Sequence, residues 1–379
     1  MNIKQTIKGN LINIPGFKTH RKLIVIESDD WGSIRMPSIK TLDKLLKRGI
    51  RFCLDMGYDK IDTIASKNDL ENLFEVLHSV KDKNNNPAVI TANSLVTNPD
   101  FDKIKASGFT EYHYELITDT MNKYYSQANP FVLWQQGIKE RIFHPQFHGR
   151  EHLNSQLWLE ILKQNLEGAR DAFDESIFCQ VSDIPSDNRL HVLSAYDYKY
   201  EKERMFIEKS IKEGMEIFEQ LFRYRSLSAI APCFVWDDFI EQCYFNQGIK
   251  YIQGSIFQTY STYQKQKSDK KGKYHYMGQT NNLGQKYLVR NCFFEPSQNP
   301  IFNYVDDCLH RIKFAFRWKK PAIISAHRLN FIGTLDIRNR DENLKQFSTL
   351  LKEIIRQWPD VEFMTSDVLG ELMNKNSVK

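Results

Sequence analysis

Short apolar runs rich in β-branched residues recur along the chain, each followed by a stretch with apolar residues at helical spacing. This alternation narrows the fold more than any other feature. Leu23-Ile24-Val25-Ile26, Leu227-Ser228-Ala229-Ile230-Ala231 and Pro321-Ala322-Ile323-Ile324-Ser325-Ala326 have the continuous apolar character of strands covered on both faces. Strands alternating with helices imply parallel pairing through right-handed crossovers, hence an α/β barrel or an open sheet.

Further strands are expected at 87–92, 141–143 and 361–364, with helices over about 41–48, 69–78, 99–107, 155–164, 200–222, 238–245 and 341–357. Asn154 is placed to cap the helix that starts at Ser155. Two stretches break the rhythm. Residues 183–200 are polar with several turn formers, and 258–285 carry Lys265-Gln266-Lys267-Ser268-Asp269-Lys270-Lys271. Both read as surface insertions, the second either a solvated loop with no role or a mobile lid. With no repeat and no Pro/Ser linker, the expected organisation is an arm over 1–20 and one domain over 21–375.

The 379 residues carry a formal charge of only +5, with both signs interspersed, so a nucleic-acid-binding arm and a disordered chain are poor readings. No apolar run approaches the roughly 18–20 residues of a membrane span, and the first residues do not read as a signal peptide. Cys53, Cys179, Cys233, Cys243, Cys292 and Cys308 lack paired spacing. They read as buried free thiols of a reduced compartment, so a cytoplasmic location is expected.

Three polar clusters fall where strands end, the edge at which parallel α/β folds collect their chemistry. Asp29-Asp30 follows the first strand. Adjacent carboxylates raise one another's pKa unless a cation compensates, so the pair suits one metal ligand and one proton acceptor. The second cluster is His144-Pro145-Gln146-Phe147-His148-Gly149-Arg150-Glu151-His152. Residues four apart on a straight strand stand roughly 13 Å apart, too far to share one ion, so the segment must curl between its ligands. Gly149 allows that curl between His148 and His152, whereas Pro145 keeps His144 extended. This favours His148 and His152 as the pair, with His144 and His148 as the alternative. The third cluster, Ser325-Ala326-His327-Arg328, offers His327 as an acid or base near neutral pH. Trp236 and Asp237, past the strand at 227–231, suit stacking on a sugar ring and bonding to its hydroxyls, and equally suit a helix start with Asp238 near its N-terminus; Trp31 and Arg328 are further substrate-binding candidates.

In this order the clusters resemble the polysaccharide deacetylase family, which includes chitin, peptidoglycan and nodulation-factor deacetylases. The resemblance runs from about Leu23 to Leu369. It implies a distorted (β/α) barrel, of the type shared by deacetylases and certain glycoside hydrolases, here with loop insertions. It also implies one divalent metal, usually zinc, on Asp30, His148 and His152, with Asp29 as general base and His327 as general acid. The metal-bound water would then be the nucleophile that removes an acetyl group from an N-acetylated sugar or glycan precursor. Three positions depart from the family pattern. Trp31 stands between Asp-Asp and Gly32, Ile230 occupies the place of the arginine that braces the base, and 117 residues separate Asp30 from His148. Arg328, Arg223 and Arg225 are the candidates for the missing brace. The alternatives are a glycoside hydrolase using two carboxylates among Asp29, Asp237, Asp238 and Glu241, and a non-catalytic carbohydrate-binding protein.

Overall fold

The computed structural model describes residues 7, 9–52, 58–126, 129–179, 192–268 and 270–376. Nine strands form its main sheet: β1 (Lys22–Trp31), β2 (Ile90–Leu95), β3 (Phe143–Gly149), β4 (Ser228–Ile230), β5 (Tyr251–Gly254), β6 (Lys286–Val289), β7 (Cys292–Phe293), β8 (Ala322–His327) and β9 (Val361–Phe363). Their pairings are all parallel, in the order β6-β5-β4-β3-β2-β1-β8-β7, with β9 on the start of β1. The two ends of this path, β6 and β7, are separated in sequence only by Arg290 and Asn291. Arg290 N–H donates to Gly254 of β5 and Asn291 N–H to Ile323 of β8, so one kinked segment joins both edges and the sheet curls into a distorted barrel.

Alternation along β1 sorts its side chains by face. Ile24 and Ile26 belong to the main apolar core, with the helices Lys67–His78, Phe131–Glu140, Arg204–Phe222, Tyr304–Arg317 and Ile337–Gln357 around it. Leu23 and Val25 join Tyr251, Leu288 and Ile323 in a separate cluster that floors the barrel. Glu27 and Asp29 continue that inward series and are buried. The barrel interior is thus apolar at its base and charged towards the carboxyl ends of its strands. A third apolar cluster comes from the connections that leave β1, β2 and β3, including Met36, Leu45, Ile104 and Trp158.

The expected helices form with ends shifted by a few residues, and Asn154 accepts a hydrogen bond from Leu157 N–H as the cap at Ser155. Several expectations change. The histidine cluster does not follow a strand; β3 runs through His144 and His148 to Gly149. Residues 192–198 bury Val192, Leu193, Tyr196 and Tyr198 and are core rather than surface, Tyr200 is exposed, and 183–191 lie outside the described residues, as does Cys53. The stretch 258–285 is built around an antiparallel ribbon, Phe257–Thr259 with Gly272–Tyr274, and the helix Thr262–Lys267. Among the described residues Cys233, Cys243, Cys292 and Cys308 form no disulfide. Among the described residues no helix is long and apolar enough to cross a membrane.

Trp134 meets Trp31, Phe143 and Phe222 at ring-centroid distances of 6.1, 5.1 and 5.9 Å. Trp134→Ala is expected to cost about 3–5 kcal/mol, measured by chemical denaturation. A loss below about 1 kcal/mol would contradict the packing described.

Candidate active site

Asp29 and His327 stand opposite one another in register on β1 and β8, which brings Asp29 Oδ2 to 3.8 Å from His327 Nε2. Strand alternation alone would turn Asp30 away, with Ile24 and Ile26. The β1–β2 register shifts between Ser28 and Trp31, and Asp30 adopts φ +70°, a left-handed conformation that costs a non-glycine residue about 1–2 kcal/mol. Trp31 anchors this irregularity. Its indole donates to Ser28 Oγ and packs edge-on against Phe143 and Trp134. Trp31 is therefore a buried core residue with no face for a sugar, which corrects its expected role.

His148, on β3, and His152, past the turn at Gly149 (φ +126°), converge on Asp30. Asp30 Oδ1 lies 3.2 Å from His148 Nε2 and 3.4 Å from His152 Nε2. Two ligands each about 2.0–2.1 Å from a tetrahedral cation stand roughly 3.3 Å apart. His148 Nδ1 donates to the Ile230 carbonyl at 3.0 Å, which turns Nε2 towards Asp30. The spacing of the three donor atoms suits one shared cation. His144 lies elsewhere, hydrogen-bonded to Asp367 at 3.2 Å and stacked on Tyr224; it does not share the cluster.

The brace on Asp29 is Arg290, at the barrel seam. Its Nη1 and Nη2 donate to Asp29 Oδ2 and Oδ1, each at 2.6 Å, and its Nε to Glu27 at 2.6 Å. This replaces Arg328, Arg223 and Arg225 as candidates. Arg328 is buried against Asp62 and the Ser33 carbonyl, Arg223 ends a helix, and Arg225 pairs with Glu219. Asn93 also donates to Asp29 Oδ1, at 2.7 Å. Burial alone would raise the Asp29 pKa, but Arg290 outweighs it and holds the carboxyl down at about 2. Asp30 is likewise held well below its usual range against burial, first by Arg35.

Trp236 and Asp237 are also structural. Trp236 is buried, stacked on His275, with its indole donating to Glu241. Asp237 caps the helix Asp238–Asn246 and accepts from Tyr198 and Ser261. Glu241 is buried and accepts from Tyr287 and Asn281. Trp236, Asp237 and Arg328 do not line the cavity of about 100 Å³ that holds Asp29, Asp30, His148, His152 and His327. Sequence reasoning missed Arg290, Arg35, Glu295 and Tyr58. Arg290 had a usable signal, a charged residue directly after the apolar Tyr287-Leu288-Val289.

Ion pairs join six buried carboxylates (Glu27, Asp29, Asp30, Asp59, Asp62 and Glu295) to three guanidiniums (Arg35, Arg290 and Arg328) and the His327 imidazole. Burial raises the pKa of Glu27 and Asp62 within this set, and Asp30 also faces His148 and His152. The donor set, one carboxylate oxygen and two imidazole nitrogens, fits a divalent cation.

No family model and no curated protein matches the chain. It is similar to the solved structure of a 4-α-glucanotransferase from Thermococcus litoralis, at 10% identity and a TM-score of 0.47, over 92% of this chain and 40% of that one. A presumed polysaccharide deacetylase from Mycobacterium smegmatis is similar at 10% identity and a TM-score of 0.43, over 96% and 93% of the two chains. A CE4 family pseudoenzyme from Bacillus anthracis is similar at 8% identity and a TM-score of 0.34, over 89% and 62%. Several of the similar structures are polysaccharide deacetylases. The present chain spans less than half the length of the glucanotransferase.

His327 Nδ1 lies 2.6 Å from Glu295 Oε1 and 3.0 Å from the Tyr58 hydroxyl. Burial would lower the His327 pKa, but Glu295, followed by Asp29 and Asp30, raises it to about 9. The folded value exceeds the unfolded one of about 6.5. The resulting stability is therefore complete below about pH 6.5 and is lost as pH rises through about 9. In metal-free protein, NMR should show His327 titrating near 9, with Glu295→Gln moving that value down. An unchanged titration in the variant would remove Glu295 as the cause.

Proposed function

We propose that the protein is a divalent-metal-dependent amide hydrolase that removes an acetyl group from an N-acetylated sugar or glycan precursor. The observation that carries this reading is the convergence of Asp30, His148 and His152 on one point, with Asp29 and His327 facing each other beside it. A divalent cation held by those three side chains, zinc by the donor types, would supply Lewis acidity to a water and to the amide carbonyl.

The remaining steps belong to the chain's own groups. Asp29 Oδ1 is occupied by Arg290 and Asn93, whereas Oδ2 takes one bond from Arg290 and faces His327. Asp29 is ionised at working pH and accepts the proton of the attacking water at Oδ2. The 3.8 Å between Oδ2 and His327 Nε2 is too long for a direct hydrogen bond and leaves both atoms available to reacting groups. His327 holds its proton near neutral pH and delivers it to the departing amine as the C–N bond breaks, and Glu295 at Nδ1 stabilises the charged ring. A cavity of about 100 Å³ has room for several waters, a size suited to a small acyl group. Cys233, Cys243, Cys292 and Cys308 form no disulfide among the described residues, which supports a reducing compartment, and hence a cytoplasmic oligosaccharide, sugar-nucleotide or lipid-linked precursor as the carbohydrate partner.

Elemental analysis of purified wild type is expected to find about one divalent ion per chain, lost in Asp30→Ala and His148→Ala and kept in His144→Ala. Equal metal in all four proteins would remove the site, and loss in His144→Ala would move it. Asp29→Asn should keep the metal while acetate release from N-acetylated oligosaccharides falls by at least about 100-fold. An active Asp29→Asn enzyme would place the base elsewhere.

A further inference from the structure

Asp30 presents its two oxygens to different partners. Oδ1 faces the two imidazoles, while Oδ2 accepts from Arg35 Nη2 at 2.9 Å. Arg35 is fully buried and anchored on two further carboxylates. Its Nη1 donates to Asp59 at 3.0 Å, and its Nε lies 3.6 Å from Asp62, which Arg328 holds from the other side at 2.7 Å. The segment carrying Arg35 is fixed as well. Asn98 accepts from Ile34 N–H and donates to the Gly32 carbonyl, and Met36 N–H donates to the Asp62 carbonyl. This rigid guanidinium therefore meets a carboxylate whose backbone is already in a disfavoured conformation.

We propose that Arg35 is a positioning residue that restricts Asp30 to binding the cation through Oδ1 alone, and so keeps the site four-coordinate and open to one further ligand. The proposal rests on the metal-site reading above. A carboxylate with both oxygens free can swing to bidentate ligation and fill the position that water or substrate needs. A planar fork engaged with Asp30 and Asp59 at once blocks that swing; a lysine, a point charge, cannot span both in the same way. The alternative is that Arg35 only neutralises buried carboxylates. In that case its loss lowers stability and leaves the coordination of the ion unchanged.

Cobalt(II) separates these cases, since its visible absorption is intense in tetrahedral sites and weak at higher coordination number. Metal-free wild type, Arg35→Met, Arg35→Lys and, as a control, Arg340→Met are titrated with Co²⁺ against a competing chelator, with circular dichroism to check folding. Arg340 is a buried arginine on another carboxylate, Asp69. The expected result is a tetrahedral spectrum in wild type and Arg340→Met. Both Arg35 variants should show a weaker, shifted spectrum and roughly 10–100-fold lower affinity. Should Arg35→Met fail to fold, Arg35→Lys decides alone. Wild-type spectra and affinity in folded Arg35 variants would overturn the proposal and leave the metal site standing, as would an equal change in Arg340→Met. A wild type that takes up no Co²⁺ would instead overturn the metal site, and this proposal with it.

Discussion

Two adjacent carboxylates buried at the exit of β1 are the constraint from which the rest of the site follows. An uncompensated buried charge costs several kcal/mol, and Asp29 and Asp30 double the demand at a single point. The fold meets it from two sides. Arg290 grips Asp29 together with Glu27, and Arg35 grips Asp30 together with Asp59 and Asp62. Asp30 faces two imidazoles with its other oxygen, so the ion pairs that hold the buried carboxylates also orient the donors that the proposed chemistry needs.

Barrel closure and the proposed chemistry are joined at Arg290. The kinked segment that connects β6 to β7 turns this arginine into the interior, so Asp29 is braced without any residue at Ile230. Behind Asp29 the bracing continues through side-chain amides and hydroxyls. Asn93 donates to Gln253, Gln253 to Ser228, and Ser228 to Gln146, which also contacts His144. Such a buried network fixes orientation, because each bond lost from it would leave a group unpaired at a cost of about 1–3 kcal/mol. His144 is the far end of this column, which explains a third histidine in the cluster that stands apart from Asp30.

The alternation of strands and helices was legible because β1 and β8 are long apolar runs and the helices between them are amphipathic over several turns. The pair His148 and His152 was legible because a glycine lies between two potential ligands, and the left-handed φ of Gly149 is the curl that spacing demanded. The strands β5, β6 and β7 were not. β5 and β6 mix polar and aromatic residues in their four positions and β7 has only two residues, so none stands out as a long apolar run, and Arg290 was overlooked with them. Trp31, Trp236, Asp237 and Arg328 were misread for one common reason. Polar and aromatic residues at a strand exit also serve as helix caps, core anchors and buried ion pairs, and composition does not say which way such a side chain turns. Partners such as Glu295 and Tyr58 come from distant loops, and only the folded chain brings them to His327.

The most direct test of the central claim is X-ray absorption at the zinc edge on zinc-loaded protein. The account predicts two imidazole nitrogens and light oxygen donors at about 2.0–2.1 Å with no sulfur. A first shell containing sulfur, or one without imidazole scattering, would contradict it.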